Sequence, residues 1–308
     1  AAVTQAPPSR STPTTSARYS DPGGLSPPPS FSNLQPPSST FLLEGPHAGI
    51  IPRAVNDMFQ RIATVDQDLV FDIKLFFVEI YMEHVRDLLE PANTNLNVRG
   101  DPSSNSFYVE GCQTPYVSSA QEVLALVELG LRNRTTAATK MNDVSSRSHC
   151  LLGITVKSTH SHRGETKIGK LYLVDLAGTE KVAKTKAEGV QLEEAKLINK
   201  SLTTLGLVIK NLTEGRSSHI PYRDSKLTKI LQDALGGNSR TSLIVCCSPS
   251  ALHYQETHST LRFGARAKHI KNRAVVNKEY TPAELTHLLM LAQSEIDRKN
   301  AEISRLKR

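Results

Sequence analysis

Apolar residues recur along the chain with two alternating periods. Spacings of three and four residues predict amphipathic helices, which cover residues 50–63, 120–131, 188–213, 226–235 and 255–271. Runs rich in apolar and β-branched residues predict strands, which cover 71–82, 149–159, 170–175 and 241–247, with shorter strands between 98 and 117. A helical stretch is also expected over Val85–Leu89, directly after the first strand. Because helices and strands alternate, the pattern predicts an α/β fold with a mainly parallel core.

The two ends of the chain follow different patterns. Residues 1–39 are rich in Pro, Ser and Thr and contain few large apolar side chains, so we expect a disordered tail. From Leu285 to Leu306 apolar residues step by four and three, with Lys299 as one defect. This spacing is typical of a coiled-coil seam. Since the run is short, a single amphipathic helix packed on the domain is the alternative interpretation.

The amino-acid composition of the chain indicates which kinds of molecule it can bind. The formal net charge of +7 favours an acidic partner, but neither a zinc-finger spacing nor an aromatic-rich basic motif points to nucleic acid. No apolar run has the length of a membrane span. The four cysteines show no metal-ligand spacing and suit a reducing compartment. Cys246 and Cys247 lie in the last predicted strand, where we expect them to be buried.

Polar residues at the ends of two predicted strands have the chemistry of a nucleotide site. Residues 142–149 read Asn-Asp-Val-Ser-Ser-Arg-Ser-His and lead into one strand, whereas 175–180 read Asp-Leu-Ala-Gly-Thr-Glu and end the next. Asp175 can hold Mg²⁺, and Gly178 lets a phosphate approach the backbone. Each segment alone is also compatible with an ordinary turn. Because both flank strands expected to lie side by side, we interpret them as parts of one site.

These two segments resemble the switch motifs of the kinesin motor domain. Four further segments match the family in the same order, namely Asn199–Leu202, His219–Thr228, Leu231–Asn238 and Ser259–Lys268. The resemblance covers residues 40–308, and residues 272–289 are similar to the neck of conventional kinesins. It implies a kinesin-type P-loop NTPase sheet flanked by helices, ATP and Mg²⁺ as cofactors, and ATP-driven movement on microtubules in the cytoplasm.

The resemblance also assigns roles to individual residues. The catalytic groups would be Ser145, Ser146, Arg147, Gly178 and Glu180, with Arg147 and Glu180 forming a salt bridge that closes the site. Nucleotide contacts would come from Thr40, Asn142 and Asp175, and Mg²⁺ ligands from Thr40, Ser146 and Asp175. Microtubule contacts would come from Lys181, Lys184, Lys186, Arg223, Lys226 and Lys229. Any one of these lysines is equally compatible with an ordinary solvated surface.

The same resemblance divides the chain into four parts. A tail (1–39) precedes a partial motor domain (40–273), a neck linker (274–282) and a neck coiled coil (283–308) that would form a homodimer. Asn277 would latch the docked neck linker.

One motif departs from the family pattern. Ser38 and Ser39 stand where the phosphate loop of kinesins has glycine and lysine, and Pro36 and Pro37 replace residues before it. Proline has no N–H to donate to phosphate, and serine lacks the lysine charge. The first strands of the kinesin sheet are also expected to be absent, which would leave an apolar gap. We therefore expect weak or no ATP binding. The alternatives to an ATP-driven motor are a non-catalytic microtubule-binding pseudo-motor and a truncated gene product.

Overall fold

The computed structural model describes residues 48–101, 106–138, 146–162, 164–178, 190–215, 219–280 and 282–306, with the backbone alone for 136–138, 190–199 and 283. The helices are α1 (Ile50–Thr64), α2 (Ala120–Ala138), α3 (Val190–Glu214), α4 (Lys226–Ile230), α5 (Tyr254–Ala267) and α6 (Pro282–Leu306). The strands are β1 (Leu69–Tyr81), β2 (His84–Asp87), β3 (Val98–Gly100), β4 (Phe107–Val109), β5 (His149–His160), β6 (Thr166–Asp175) and β7 (Asn277–Glu279). Short 3₁₀ turns occur at Tyr222–Asp224, Gln232–Ala234 and Ala251–His253.

The main sheet has five strands in the order β2-β1-β5-β6-β7, and every pairing described in it is antiparallel. The α/β class is confirmed, but the expectation of a mainly parallel core is wrong for the described residues. The connections explain the difference. The turns between β1 and β2 and between β5 and β6 are only a few residues long, and such short links join antiparallel strands only.

The segment after β1 turns back as a strand instead of continuing as a helix. Met82 and Glu83 adopt positive φ angles of 50° and 63°, the conformation of a tight two-residue hairpin turn. The chain then pairs with β1, with Ile80 opposite Val85. The helix expected over Val85–Leu89 is therefore wrong, because β-hairpin pairing outweighs the local apolar spacing.

The core lies on both faces of strands β1 and β5. Adjacent side chains on a strand point to opposite faces, and β1 uses both. On one face, Phe77 packs so closely against Gly130 of α2 that a Cβ atom there would lie 2.2 Å from the ring. On the other face, Val78 and Ile80 join a buried cluster with residues of α3 and α4, including Val208 and Leu227. Helices thus cover both faces of this part of the sheet.

The strand expected over 241–247 does not form. The whole segment is exposed and belongs to no strand of the described residues, and Ile244 is 69% exposed. The expected burial of Cys246 and Cys247 is also wrong, since both are exposed. Strand β6 meets β7 only at residues 166–168, and no described strand lies beside its remaining residues on that edge. An apolar segment forms a buried strand only where a neighbour pairs with it, and the described residues supply none here.

Helix α6 begins at Pro282, as a first-turn proline does. Every side chain described in it is exposed, among them Leu285, Leu289, Ile296 and Ile303. The alternative of a helix packed on the domain is therefore wrong, while the coiled coil stays a prediction. Across the described part of the chain, no helix combines the length and apolar character needed to cross a membrane.

Candidate nucleotide-sensing site

Antiparallel pairing of β5 and β6 brings the two candidate segments together. Cys150 lies opposite Asp175, so residues 146–148 before β5 and residues 175–178 at the end of β6 leave the sheet side by side. We call the latter the post-β6 turn. The Gly178 N–H donates to the Ser146 carbonyl oxygen at 2.8 Å, and the Ala177 N–H donates to Nδ1 of His149 at 2.9 Å. Two hydrogen bonds therefore join the segments.

The structure places four of the predicted site residues at this junction. Ser146 is exposed, Arg147 and Gly178 are half-buried, and the Asp175 side chain is 74% exposed at the end of its strand. Four other predicted residues lie outside the described residues: Thr40, Asn142, Ser145 and Glu180. The Arg147–Glu180 salt bridge therefore stays a prediction.

The donor atoms at the junction suit Mg²⁺ in kind. The Ser146 hydroxyl and the Asp175 carboxylate are hard oxygen donors, and Asp175 also accepts a 3.4 Å contact from Nη1 of Arg134. Within the described ranges, no group of three or more His, Cys, Asp or Glu side chains could hold a metal ion. The described residues thus supply part of a donor set, which the predicted ligand Thr40, bound phosphate and water would complete.

A buried ionic network, which was not predicted from the sequence, lies next to the junction and contacts it. Glu79 of β1 is 4% exposed. Its carboxylate accepts from Arg86 at 3.0 Å, from Nε of Arg134 at 3.2 Å and from the Ser148 hydroxyl at 2.6 Å. Since Arg134 also reaches Asp175, strand β1 and helix α2 are both tied to the site. The sequence feature that could have revealed this network is the single glutamate within the apolar run of β1, because a buried charge needs a partner.

His149 is a second residue whose role the sequence left unassigned. Its side chain lies between the post-β6 turn and helix α3, where Nε2 is 2.6 Å from the Ser201 hydroxyl. Burial lowers the pKa of His149 to about 4, so the ring is neutral at neutral pH. Burial likewise raises the pKa of the neighbouring Cys150 thiol to about 12, which keeps it protonated and unreactive.

The predicted filament-facing residues that the structure describes lie around helix α4. Arg223 is exposed in the preceding 3₁₀ turn, whereas Lys226 and Lys229 are half-buried. Lys226 donates from Nζ to the Leu96 carbonyl at 2.9 Å, and burial lowers its pKa. Glu83, at the tip of the β1–β2 hairpin, accepts from the Lys226 backbone N–H at 2.7 Å and so satisfies one of the free N–H groups in the first turn of the helix. Lys181, Lys184 and Lys186 lie outside the described residues.

Asparagine side chains attach the segment after α5 to the domain. Asn277 donates from Nδ2 to the Ile168 carbonyl at 3.1 Å and accepts from Nδ2 of Asn238 at 2.7 Å. Asn238 in turn accepts from the Val275 N–H at 2.6 Å. Asn272 accepts from the Gly236 N–H at 2.7 Å. These contacts connect the segment both to the edge of β6 and to the loop that follows helix α4.

The sequence model of the kinesin motor domain matches residues 39–270. The chain belongs to the kinesin family. It is 52% identical over 258 residues to a kinesin heavy chain of Botryotinia fuckeliana, covering 84% of this chain and 29% of that one. It is 54% identical over 237 residues to a kinesin heavy chain of Caenorhabditis elegans, covering 77% and 29%. This kinesin chain therefore spans less than a third of the length of the curated relatives it matches.

The fold of this kinesin is similar to a solved relative. The structure described as that of a fast kinesin, with implications for ATPase mechanism and interactions with microtubules, superposes with a TM-score of 0.73 at 52% sequence identity. The similarity covers 79% of this chain and 69% of that one. Both the resemblance of the switch segments and the kinesin-type α/β fold inferred from the sequence are thereby confirmed.

Proposed function

We propose that this chain is part of a cytoplasmic microtubule motor of the conventional kinesin type, driven by ATP. The observation that most directly supports this proposal is the hydrogen bond from the Gly178 N–H to the Ser146 carbonyl oxygen at 2.8 Å. It joins the two segments that resemble kinesin switch motifs at one end of a strand pair. A phosphate that enters between these segments would compete for the Gly178 N–H, so their separation would report the state of the nucleotide.

The residues of the junction have separable roles in this proposal. Ser146 and Asp175 would hold Mg²⁺ together with Thr40, while Asn142 and Ser145 would contact the nucleotide. Bound Mg²⁺ supplies positive charge that neutralises the phosphate oxygens. Arg147 and Glu180 would pair to close the site and move a proton from the attacking water. Arg134 contacts the Asp175 carboxylate at 3.4 Å and would balance part of its charge.

One sequence feature supports a second candidate, a microtubule-binding protein that does not hydrolyse ATP. Ser38 and Ser39 occupy the positions where kinesins have the glycine and lysine of the phosphate loop. A serine hydroxyl cannot replace the lysine charge on the β- and γ-phosphates. Under this candidate the chain would keep its filament surface and bind microtubules equally with and without nucleotide.

The proposed filament surface comprises Arg223, Lys226 and Lys229, with Lys181, Lys184 and Lys186 before helix α3. The net charge of +7 is complementary to an acidic partner such as tubulin. Among the described members of this surface, Arg223 is the exposed one, so it should contribute most directly. Lys226 should act mainly through its hydrogen bond to the Leu96 carbonyl, which links helix α4 to the segment before β3.

Co-sedimentation with microtubules tests the proposal. The full chain is pelleted with microtubules without nucleotide, with ADP, with ATP and with a non-hydrolysable ATP analogue. Release by ATP but retention with the analogue supports the motor, whereas equal binding in all four conditions supports the non-catalytic candidate.

The R223A substitution tests the filament surface, and it should weaken microtubule binding severalfold and reduce the salt dependence of binding. R61A, at an exposed arginine of helix α1, serves as the matched control. An unchanged affinity of R223A would contradict the filament surface.

The neck assignments belong to the same proposal. Residues 274–282 would be a neck linker latched by Asn277, and residues 283–308 a coiled coil that forms a homodimer. The exposed apolar seam of α6 supports the dimer. Sedimentation equilibrium of the full chain and of L289D separates the outcomes. A dimer that L289D converts to a monomer supports the proposal, whereas a wild-type monomer at micromolar concentration contradicts it.

A further inference from the structure

His149 occupies a position from which it contacts two functional elements at once. It is the first residue of β5 and is 2% exposed. One ring nitrogen, Nδ1, lies 2.9 Å from the backbone nitrogen of Ala177 in the post-β6 turn. The other, Nε2, lies 2.6 Å from the hydroxyl of Ser201 in helix α3. Ala177 and Ser201 are themselves 4% and 3% exposed, so both contacts are shielded from water.

The geometry fixes the protonation of the ring. A backbone N–H can only donate, so Nδ1 of His149 must present its lone pair to Ala177. A neutral imidazole then carries its single proton on Nε2 and donates it to the Ser201 oxygen. A pKa near 4 keeps the ring in this neutral form at physiological pH. The ring therefore accepts from the turn and donates to the helix, in one fixed direction.

Both partners lead to regions with proposed functions. Ala177 precedes Gly178, whose N–H reaches Ser146 across the junction. Ser201 lies on α3, which packs against α4 and α5. Helix α4 in turn carries the proposed filament residues Lys226 and Lys229. A buried polar link between rigid elements passes a displacement of one to the other, because breaking it leaves an unsatisfied donor or acceptor.

We propose that His149 is a positioning residue that couples the post-β6 turn to helix α3 through the Ala177–His149–Ser201 hydrogen-bond chain. The proposal rests on the proposed function in one respect: the turn is taken to respond to nucleotide and the helix to microtubules. The competing interpretation is that His149 only satisfies two buried polar groups. The two differ in one consequence. If the two elements are coupled, a substitution at Ser201 must alter the hydrogen bond of Ala177, which lies on the opposite side of the His149 ring.

Hydrogen exchange of the full chain, read by mass spectrometry over residues 171–178 and 200–214, tests that consequence. S201A removes the hydroxyl but leaves His149 and its acceptor nitrogen in place. We expect S201A to speed exchange at Ala177 about tenfold, comparable to the loss of one hydrogen bond. Unchanged exchange at Ala177 in S201A would overturn the coupling, even if helix α3 itself exchanges faster.

Two substitutions of His149 separate positioning from packing. H149Q retains an acceptor and a donor on a flexible side chain, whereas H149L has similar bulk and neither group. We expect H149Q to keep exchange in both regions within about threefold of wild type and H149L to speed it more than tenfold in both. Equal behaviour of the two variants would show that only the volume of the side chain matters, and would overturn the proposal.

The tautomer gives an independent spectroscopic signature. Nitrogen-15 chemical shifts of the His149 ring at pH 7 should show a protonated Nε2 and an unprotonated Nδ1, and the opposite tautomer would overturn the proposal.

Failure of the proposed function can be distinguished from failure of the coupling. If the wild-type chain does not bind microtubules, the function is wrong, while the exchange and tautomer results still decide the coupling. If it binds but S201A leaves Ala177 unaffected, the coupling alone is wrong.

Discussion

Substitution of Glu79 by glutamine should be among the most damaging single changes in the sheet. The carboxylate is 4% exposed and accepts from Arg86, Arg134 and Ser148. Glutamine keeps the shape but removes the charge. Its amide group is also a donor, and each of the three neighbours presents a donor to it. Whichever way the amide is oriented, at least one hydrogen bond to an arginine becomes a contact between two donors.

The magnitude follows from how well the two arginines are compensated. Removing one partner of a buried ion pair costs about 3–5 kcal/mol. The Arg134 side chain is 13% exposed and keeps its contact with Asp175, and Arg86 is 24% exposed. Both features favour the lower end of the range. We therefore expect E79Q to lower the free energy of unfolding by about 3 kcal/mol.

Urea unfolding followed by circular dichroism measures this change. With a slope of about 2 kcal/mol per molar urea, a loss of about 3 kcal/mol moves the midpoint down by about 1.5 M. D57N removes the carboxylate of the exposed Asp57–Arg61 pair and is the matched control. It should leave the midpoint unchanged. A midpoint shift below about 0.5 M for E79Q would refute the reasoning, because desolvation would then already cancel the attraction in the wild type.

The remaining predictions concern titration, backbone conformation and exposed apolar surface. The pKa of His149 is about 4 in the folded chain against 6.5 ordinarily, so the unfolded chain binds the extra proton and stability falls as the pH drops from 6.5 towards 4. The free energies of unfolding from urea titrations at pH 7 and pH 5 should differ more in the wild type than in H149Q, by roughly 2 kcal/mol, and equal differences would contradict the lowered pKa. Gly236 has a φ of 85°, and an added Cβ would lie 2.8 Å from Leu212. G236A should therefore lose about 1–3 kcal/mol in the same assay, whereas G206A, with open space in helix α3, should gain stability; a similar response of both variants would be the contrary result. Ile244 is 69% exposed, so I244K should reduce light scattering of concentrated solutions without lowering the urea midpoint, and a lowered midpoint would show that Ile244 is buried in solution.

Local patterns predicted most elements of this fold but not how the strands pair. Helices α1, α3 and α6 and the central strands lie within a few residues of where the sequence predicts them, because the apolar pattern of an element depends on that element alone. Helix α2 runs on to Ala138, well past its predicted end at residue 131. Strand direction depends on the connections. The connection between β5 and β6 is too short for a parallel crossover, so these two strands pair antiparallel. At 241–247 the apolar run alone cannot decide burial, since a strand needs a neighbour.

For the candidate site, too, the sequence predicted some residues and missed others. The sequence named Asp175, Gly178 and Ser146 together, and the structure brings them to one junction because they lie at the ends of two paired strands; their roles stay a prediction. The supporting contacts were missed because their partners are far apart in the chain. Glu79 meets Arg134 across 55 residues and Ser148 across 69. His149 was within a recognised motif, yet its role depends on Ser201 in a helix 52 residues away.

The attachment of residues 272–279 through asparagine amides has a thermodynamic consequence. Val275 and Val276 in this segment remain 69% and 67% exposed, so its attachment removes little apolar surface from water. The heat-capacity change of a transition comes mainly from apolar surface. Detachment of this segment should therefore have a heat-capacity change near zero and a nearly constant enthalpy. Its equilibrium should follow a straight van't Hoff line, while unfolding of the sheet beneath it gives a curved one.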